Sequence, residues 1–399
     1  MATTMKQQML AALRGQPTER IPWAPRLDLW YRANQRRGTL PPKYRHASLM
    51  ELVDDLGWGF HAIIPDFQSA RTLEEAADRA LGLYNLPDMF YRTVLNGVER
   101  RVRMEGDRTI VEYRTPKGSL RTVALYDESM REAGITISHT EEYAFKSEAD
   151  YAALGYIFEN ATIETTYDNY RQFAARIGER GLAAAFTCIA GSPMHLIQRE
   201  LMPWELCCYE MADRPDEMAA LAEKIGVYWQ RLMAAALECP AEVFFAGGNY
   251  DATLTSPPFF KQHLVPPLKQ FADQLHARGK YLLSHTDGES SGLLDLFLHS
   301  GMDIADSICP KPMTKLTLKD VRDAFAGRIT IMGGMPSVAL LPDSMPDADF
   351  ETFLASFFEE LGRGDHQILG ISDTTPPDAD FSRIVTIAQK VEQFGPVRP

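Results

Sequence analysis

The sequence is poor in the features that mark several common protein classes. Its 399 residues include only five cysteines, Cys188, Cys207, Cys208, Cys239 and Cys309, and none stands in a Cys-x-x-Cys pair. An odd number of scattered thiols argues against a disulfide framework and fits a reducing compartment. No run of 18 apolar residues occurs, so no transmembrane helix is expected. Met1 to Arg14 reads as an amphipathic helix without an apolar signal core or cleavage site, so a cytoplasmic protein is expected. Basic residues are in deficit, 41 against 54 acidic, for a net charge of −13. That balance argues against a nucleic-acid partner and, more weakly, against a heavily carboxylated substrate. No glycine-rich fingerprint follows the first strand, which weighs against an open doubly wound nucleotide sheet. Internal repeats and low-complexity segments are also lacking.

What is present is a large apolar fraction, 45%, arranged in short runs that alternate with helical patterns. Strands are predicted near Ile21–Pro25, His61–Ile64, Leu182–Cys188, Glu242–Ala246, Lys280–His285, Asp303–Ile308, Arg328–Met332 and Gln367–Ile371. Val243-Phe244-Phe245 and Ile329-Thr330-Ile331 are continuously apolar or β-branched, as parallel strands covered on both faces require. Helices are predicted near Ser48–Leu56, Ala212–Leu237, Phe259–Arg278, Gly292–His299, Leu318–Ala326, Phe350–Leu361 and Phe381–Phe394. Eight such strands with intervening helices predict an α/β fold, a (β/α)8 TIM barrel, in a single domain over residues 1–399. One segment breaks the alternation. Arg101–Met104, Thr109–Tyr113 and Ser119–Val123 read as three short strands joined at Gly106-Asp107 and Pro116-Lys117-Gly118. This predicts an antiparallel insertion at about 97–126, between the second and third barrel strands. A plain structural insertion is the favoured reading; a lid or a homodimer contact is the other.

Chemistry on such a barrel sits at the C-terminal strand ends. The fifth strand ends Ser284-His285-Thr286-Asp287, and two residues apart on an extended chain share a side. The eighth ends at Asp373. One histidine and two carboxylates make a three-ligand set for a divalent metal, zinc being the expected ion, with a position left for substrate. The fourth strand ends Gly247-Gly248-Asn249-Tyr250-Asp251, where Asn249 and Asp251 are candidate catalytic groups. The first is followed by Arg26 and by Trp30-Tyr31, candidate substrate contacts. Plainer readings stand beside these. His-x-Asp is also a common structural pair, Asp373 a loop or capping residue, and Asp251 a turn stabiliser. Cys309 reads as a small buried hydrophobe, and Trp30 and Tyr31 as ordinary core.

Several stretches, in this order and spacing, resemble the uroporphyrinogen decarboxylase superfamily. They are Met9–Gly15 with Glu19-Arg20-Ile21-Pro22, Tyr113–Ser119, Ser256–Phe260 and Thr375–Asp378. The resemblance implies a distorted (β/α)8 barrel. True decarboxylases of that superfamily carry an Arg-Gln-Ala-Gly-Arg-like motif after the first strand. This chain has Pro25-Arg26-Leu27-Asp28 there, and Asp28 would repel a carboxylate. The corrinoid methyltransferases of the superfamily bind zinc through His-x-Cys after the fifth strand and Cys after the eighth. His285 matches the histidine, while Asp287 and Asp373 stand where the cysteines would be. The resemblance thus favours methyl transfer from a small-molecule donor to a cobalamin-carrying corrinoid protein. The exchanged ligands favour an O- or N-methyl donor such as an aryl methyl ether over a thiol. No Asp-x-His-x-x-Gly motif is present, so the corrinoid is expected on the partner. A decarboxylase or lyase of a small acid or tetrapyrrole is the alternative, and a non-catalytic metabolite-binding barrel a third class.

Overall fold

A computed structural model describes residues 3–62 and 67–398. Its strands, in chain order, are β1 (Tyr91–Leu95), β2 (Glu99–Glu105), β3 (Arg108–Thr115), β4 (Gly118–Leu125), β5 (His139–Glu142), β6 (Ala161–Thr165), β7 (Ala185–Cys188), β8 (Val243–Gly248), β9 (Tyr281–His285), β10 (Ile304–Ile308), β11 (Thr330–Met335) and β12 (Gln367–Ile371). The last six form one parallel sheet in sequential order, β7-β8-β9-β10-β11-β12. Every residue of β7, β8, β10, β11 and β12 is buried. Helices between the strands cover the sheet, which is why these runs are apolar throughout and do not alternate.

The first two predicted strands are reduced to single bridges. Trp23 bridges Leu369 of β12 and Ala62 bridges Ala183 just before β7, both parallel. Ile63 and Ile64 of the second predicted strand lie outside the described residues. Backbone bonds link these edges: Ala24 N–H to Leu369 O (2.8 Å), Gly59 N–H to Trp23 O (2.7 Å), Phe60 N–H to Arg180 O (2.9 Å) and Ala184 N–H to Ala62 O (3.1 Å). Pro22 and Pro25 flank Trp23. Neither can donate a ladder bond, which keeps the segment from forming a regular strand.

Between Ala62 and β7 the chain builds two antiparallel sheets. β2-β3-β4-β5 is four-stranded, one strand more than the three expected, and β1 pairs with β6. His139–Glu142 is short and polar, and its only apolar-face signal is one buried threonine, so it carries little periodicity to read. The helix expected over Ala212–Leu237 is two, Trp204–Asp213 and Pro215–Glu238. Pro215 takes the first turn of the second, where its missing N–H costs nothing, and so ends the first. The helix expected from Phe259 opens as a wide π-type turn, Phe260–Leu264, before a regular helix Val265–His276. Phe381–Phe394 is helical over the expected range. Buried apolar side chains form one cluster from Met9 to Val397 that includes Val111, Tyr113 and Leu120 of the insertion. Among the described residues no helix is long and apolar enough to cross a membrane.

The register of the parallel sheet aligns the site. Asp306 of β10 stands opposite His285 of β9, and Gly248 of β8 opposite His285 on the other side. A Cβ on Gly248 would lie 3.1 Å from the His285 Cβ, so glycine permits the close approach. Asn249, Ser307 and Asp373, at the ends of β8, β10 and β12, adopt positive φ of 59°, 64° and 56°. For side-chain-bearing residues this conformation costs energy, and such strain gathers at functional sites.

Candidate active site

His285, Asp287 and Asp373 converge, their ligand atoms all lying within 4.8 Å of one another. His285 Nε2 is 3.4 Å from Asp287 Oδ1 and 3.4 Å from Asp373 Oδ1. The other ring nitrogen is already engaged, because Nδ1 lies 2.6 Å from Asp306 Oδ2. A carboxylate only accepts, so Nδ1–H donates and Nε2 is the nitrogen turned towards the two aspartates. Asp306 is buried, and its second oxygen lies 3.0 Å from His61 Nε2. One carboxylate thus holds two imidazoles.

The electrostatics follow from this crowding. Burial pulls the His285 pKa down, but Asp287, Asp306 and Asp373 overrule it and hold it up at about 10. Burial would raise Asp306; His61 and His285 on either side hold it well below the usual carboxylate range. Burial would also raise Asp373, which the His285 bond and the Arg26 charge bring down to about 2. Asp287 has no guanidinium bond. Burial raises its pKa and Asp373 adds to this, with His285 opposing. Among the described residues its Oδ1 is buried with no hydrogen bond, its ion-pair contact being His285 Nε2. A carboxylate oxygen without a hydrogen bond, a second carboxylate and an imidazole nitrogen turned towards both, in a field that favours positive charge, fit a divalent cation.

The remaining candidates divide. Asn249 donates to Asp287 Oδ2 at 3.1 Å, and its own N–H bonds to His285 O at 2.9 Å. Arg26 bonds to Asp373 Oδ1 at 3.1 Å and to Asp28 Oδ1 at 3.2 Å. Both therefore touch the cluster. Asp251 accepts from the backbone of Thr253 (2.8 Å) and Glu289 (3.0 Å), the bonding of a turn stabiliser. Trp30 stacks on Phe381 with centroids 5.2 Å apart and donates to Ala379 O at 3.2 Å. Tyr31 donates to Ala47 O at 2.7 Å. The polar atoms of both aromatics bond backbone carbonyls, and one ring face of Trp30 is covered by Phe381. A cavity of about 320 Å³ opens beside the cluster, with Arg26, Asp28, Phe60, His61 and Phe173 in its walls.

Sequence reasoning missed Asp306 and His61. A signal existed for the first: a carboxylate inside the apolar run Ile304-Ala305-Asp306-Ser307-Ile308 must find a partner when buried. It also missed Arg199, which donates to Gly248 O at 3.2 Å and opposes the rise in the Asp287 pKa.

Residues 131–393 match the family model of uroporphyrinogen decarboxylase. No curated protein sequence matches the chain. Among solved structures, a methyltransferase from Methanosarcina mazei superposes with a TM-score of 0.53 at 14% identity, covering 98% of this chain and 99% of that one. At that identity the likeness concerns the fold.

Proposed function

Because the chain belongs to the uroporphyrinogen decarboxylase family, we propose that it is a metal-dependent methyltransferase on a single-domain (β/α)8 barrel. It takes a methyl group from an O- or N-methyl donor, with aryl methyl ethers favoured, and passes it to a corrinoid carried by a separate protein. The barrel reading is supported by the backbone bonds linking Trp23 and Ala62 to the two edges of the parallel sheet. The observation that carries the function is the convergence of His285, Asp287 and Asp373 with Nε2 turned into the cluster.

His285, Asp287 and Asp373 would hold the ion, zinc being the expected one. When bound, a divalent ion there supplies Lewis acidity towards the donor's oxygen or nitrogen. The chain's own groups do the positioning. Asp306 fixes the His285 ring and tautomer, and His61 holds Asp306 from behind. Asn249 orients Asp287 and Arg26 orients Asp373. Two carboxylates in place of thiolates make a harder site, suited to oxygen and nitrogen donors.

The test has two arms. Elemental analysis should find about one divalent ion per chain, and His285→Ala should lose it with the fold intact. Incubation with a reduced corrinoid carrier should then give methylcobalt absorbance with methoxylated aromatics or methylamines. Absence of metal together with an active His285→Ala variant would sink the site assignment. Turnover only with thioethers would overturn the hard-ligand argument. A second reading, decarboxylation of a small acid, draws on the description of the matching family model; carbon dioxide release without methyl transfer would favour it.

A further inference from the structure

The cavity of about 320 Å³ beside the His285 cluster has room for a small aromatic ring. Leu49, Met50, Phe60, Phe173 and Ile177 supply its apolar walls. Two polar residues of the wall also belong to the network of the cluster. Arg26 bonds Asp373 at 3.1 Å, and His61 bonds Asp306 at 3.0 Å. Both side chains keep some exposed surface, 15% for Arg26 and 7% for His61, so a ligand can reach them.

Each of the two has one polar atom uncommitted. Arg26 gives Nη1 to Asp373 and Nε to Asp28, and among the described residues its Nη2 makes no hydrogen bond. His61 meets Asp306 through Nε2. A carboxylate only accepts, so Nε2 carries the hydrogen and Nδ1 of the neutral ring is an acceptor. That nitrogen also makes no hydrogen bond among the described residues. Neither atom is among the polar atoms closed off from solvent without a hydrogen bond, so both are open. A donor and an acceptor in one wall are matched by a hydroxyl, whose oxygen accepts while its hydrogen is donated. The charge balance indicates a neutral ligand. Asp28 and Asp373 both pair with Arg26, Asp88 pairs with Arg176 at 2.7 Å, and Arg32 is engaged as well. No guanidinium of this wall is left in excess to attract an anion.

We propose that this cavity holds the aryl ring of the methyl donor by a free phenolic hydroxyl, which accepts from Arg26 Nη2 and donates to His61 Nδ1. The ring lies among Phe60, Phe173 and Ile177. The substrate class is then a neutral methoxyphenol, preferred over a methoxylated acid or a fully methylated ring. That the phenol is the methyl donor rests on the function proposed above; that the cavity binds it does not. The hydroxyl would also be joined to the metal ligand His285 through His61 and Asp306.

The test is calorimetric titration of the full chain, without corrinoid carrier, by para-methoxyphenol, para-dimethoxybenzene and para-methoxybenzoate. Para-methoxyphenol should bind saturably. Para-dimethoxybenzene keeps the ring and lacks the hydroxyl, and it should bind about tenfold more weakly. The anionic para-methoxybenzoate should bind at least as weakly. His61→Phe removes the acceptor and keeps a ring, so the phenol should lose its advantage over the dimethoxy compound. A merely structural role for His61 would weaken both ligands alike. Phe173→Ala, by contrast, should weaken both alike, by about fivefold. Thermal melting shows whether the variants fold, and the ligand series on the wild-type chain decides by itself if they do not. Failure of para-methoxyphenol to bind the wild-type chain would overturn the proposal. So would equal affinity for the dimethoxy compound, a preference that survives in folded His61→Phe, or undiminished binding in folded Phe173→Ala. His285→Ala separates the cavity from the metal site: a phenol that still binds there is held by the cavity, and one that no longer binds was held by the ion, which refutes the assignment. Methyl transfer is read separately, so a chain that prefers the phenol and transfers no methyl group would lose the proposed function and keep this site.

Discussion

Two histidines in this chain are almost equally buried, and their surroundings set them to opposite purposes. His285 and His195 are 3% and 2% exposed. His285 sits among three carboxylates, which hold its pKa at about 10 against the pull of burial. His195, in the short helix Pro193–Leu196 after β7, has no carboxylate beside it among the described residues. Its Nδ1 accepts the Gly191 N–H at 3.0 Å and its ring lies 5.4 Å from that of Tyr250. Burial, with the Arg199 charge adding, pulls its pKa down to about 3. Burial alone therefore does not mark a functional histidine. What separates the two is the number of acidic oxygens around each and whether one is left without a hydrogen bond among the described residues, as Asp287 Oδ1 is.

The comparison breaks most directly at Asp306. Asp306→Ala removes the carboxylate that holds both His285 and His61 and leaves His285 Nδ1 and His61 Nε2 without the oxygens they bond. A loss of about 3–5 kcal/mol of stability is expected in urea unfolding. Asp306→Asn is gentler, since it keeps the shape and one acceptor. It should fold and bind the divalent ion about 10–100-fold more weakly. Unchanged metal affinity in folded Asp306→Asn would show that His285 needs no support from β10.

His195 offers the opposite test, through pH. The folded chain resists protonation down to about pH 3, whereas the unfolded chain takes up that proton near 6.5. Stability from this group is therefore complete above about pH 6.5 and is lost as pH falls towards 3, at about 1.4 kcal/mol per unit. Between pH 6 and 4 the loss from His195 alone amounts to about 2.5 kcal/mol. His195→Asn keeps an acceptor for Gly191 and cannot titrate. The difference in unfolding free energy between wild type and variant should shrink or reverse as the pH is lowered. A pH-independent difference would mean that the fold leaves the pKa of His195 where it stands in the unfolded chain.

These two residues also mark how far the sequence alone could be read. The parallel strands were legible because apolar runs covered on both faces have no alternation to mislead. His285 and Asp287 were legible as a pair because two residues on an extended chain share a side, and Asp373 because it ends the last strand. Asp306 was not, since its role depends on the register that sets β10 against β9. His61 lies at an edge bridge with little strand periodicity. Trp30 and Tyr31 left two readings open, because an aromatic pair after a strand looks the same whether it faces a ligand or, as in this structure, Phe381 and Ala47.

Asn249 sharpens the comparison at smaller cost. It combines a positive φ of 59° with the bond to Asp287. Asn249→Gly loses the bond and relaxes the backbone; Asn249→Ala loses the bond and keeps the strain. Alanine should be the less stable by about 1 kcal/mol, while both should weaken metal binding to a similar degree. Equal stability of the two variants would remove the strain argument and leave the hydrogen bond.

The smallest effect is expected at Cys309, and it tests whether the cluster keeps any thiolate character. The residue directly follows β10, and the charges of Asp287, Asp373 and Asp306 all bear on its sulfur. Burial, with those three adding, pushes the thiol pKa up to about 12. A thiolate is the form that binds metal, and here it would be formed beside three carboxylates in a dry environment. The thiol instead donates to Ser307 O at 3.3 Å, which a serine hydroxyl can also do. Cys309→Ser should therefore retain the metal and cost about 1 kcal/mol or less. Metal content by elemental analysis and stability by thermal melting check both points. Loss of the ion in this variant, with His285, Asp287 and Asp373 intact, would show that the bound ion draws the thiolate out against its surroundings. The site would then be of mixed oxygen and sulfur character, and the preference for oxygen and nitrogen donors would fall with it.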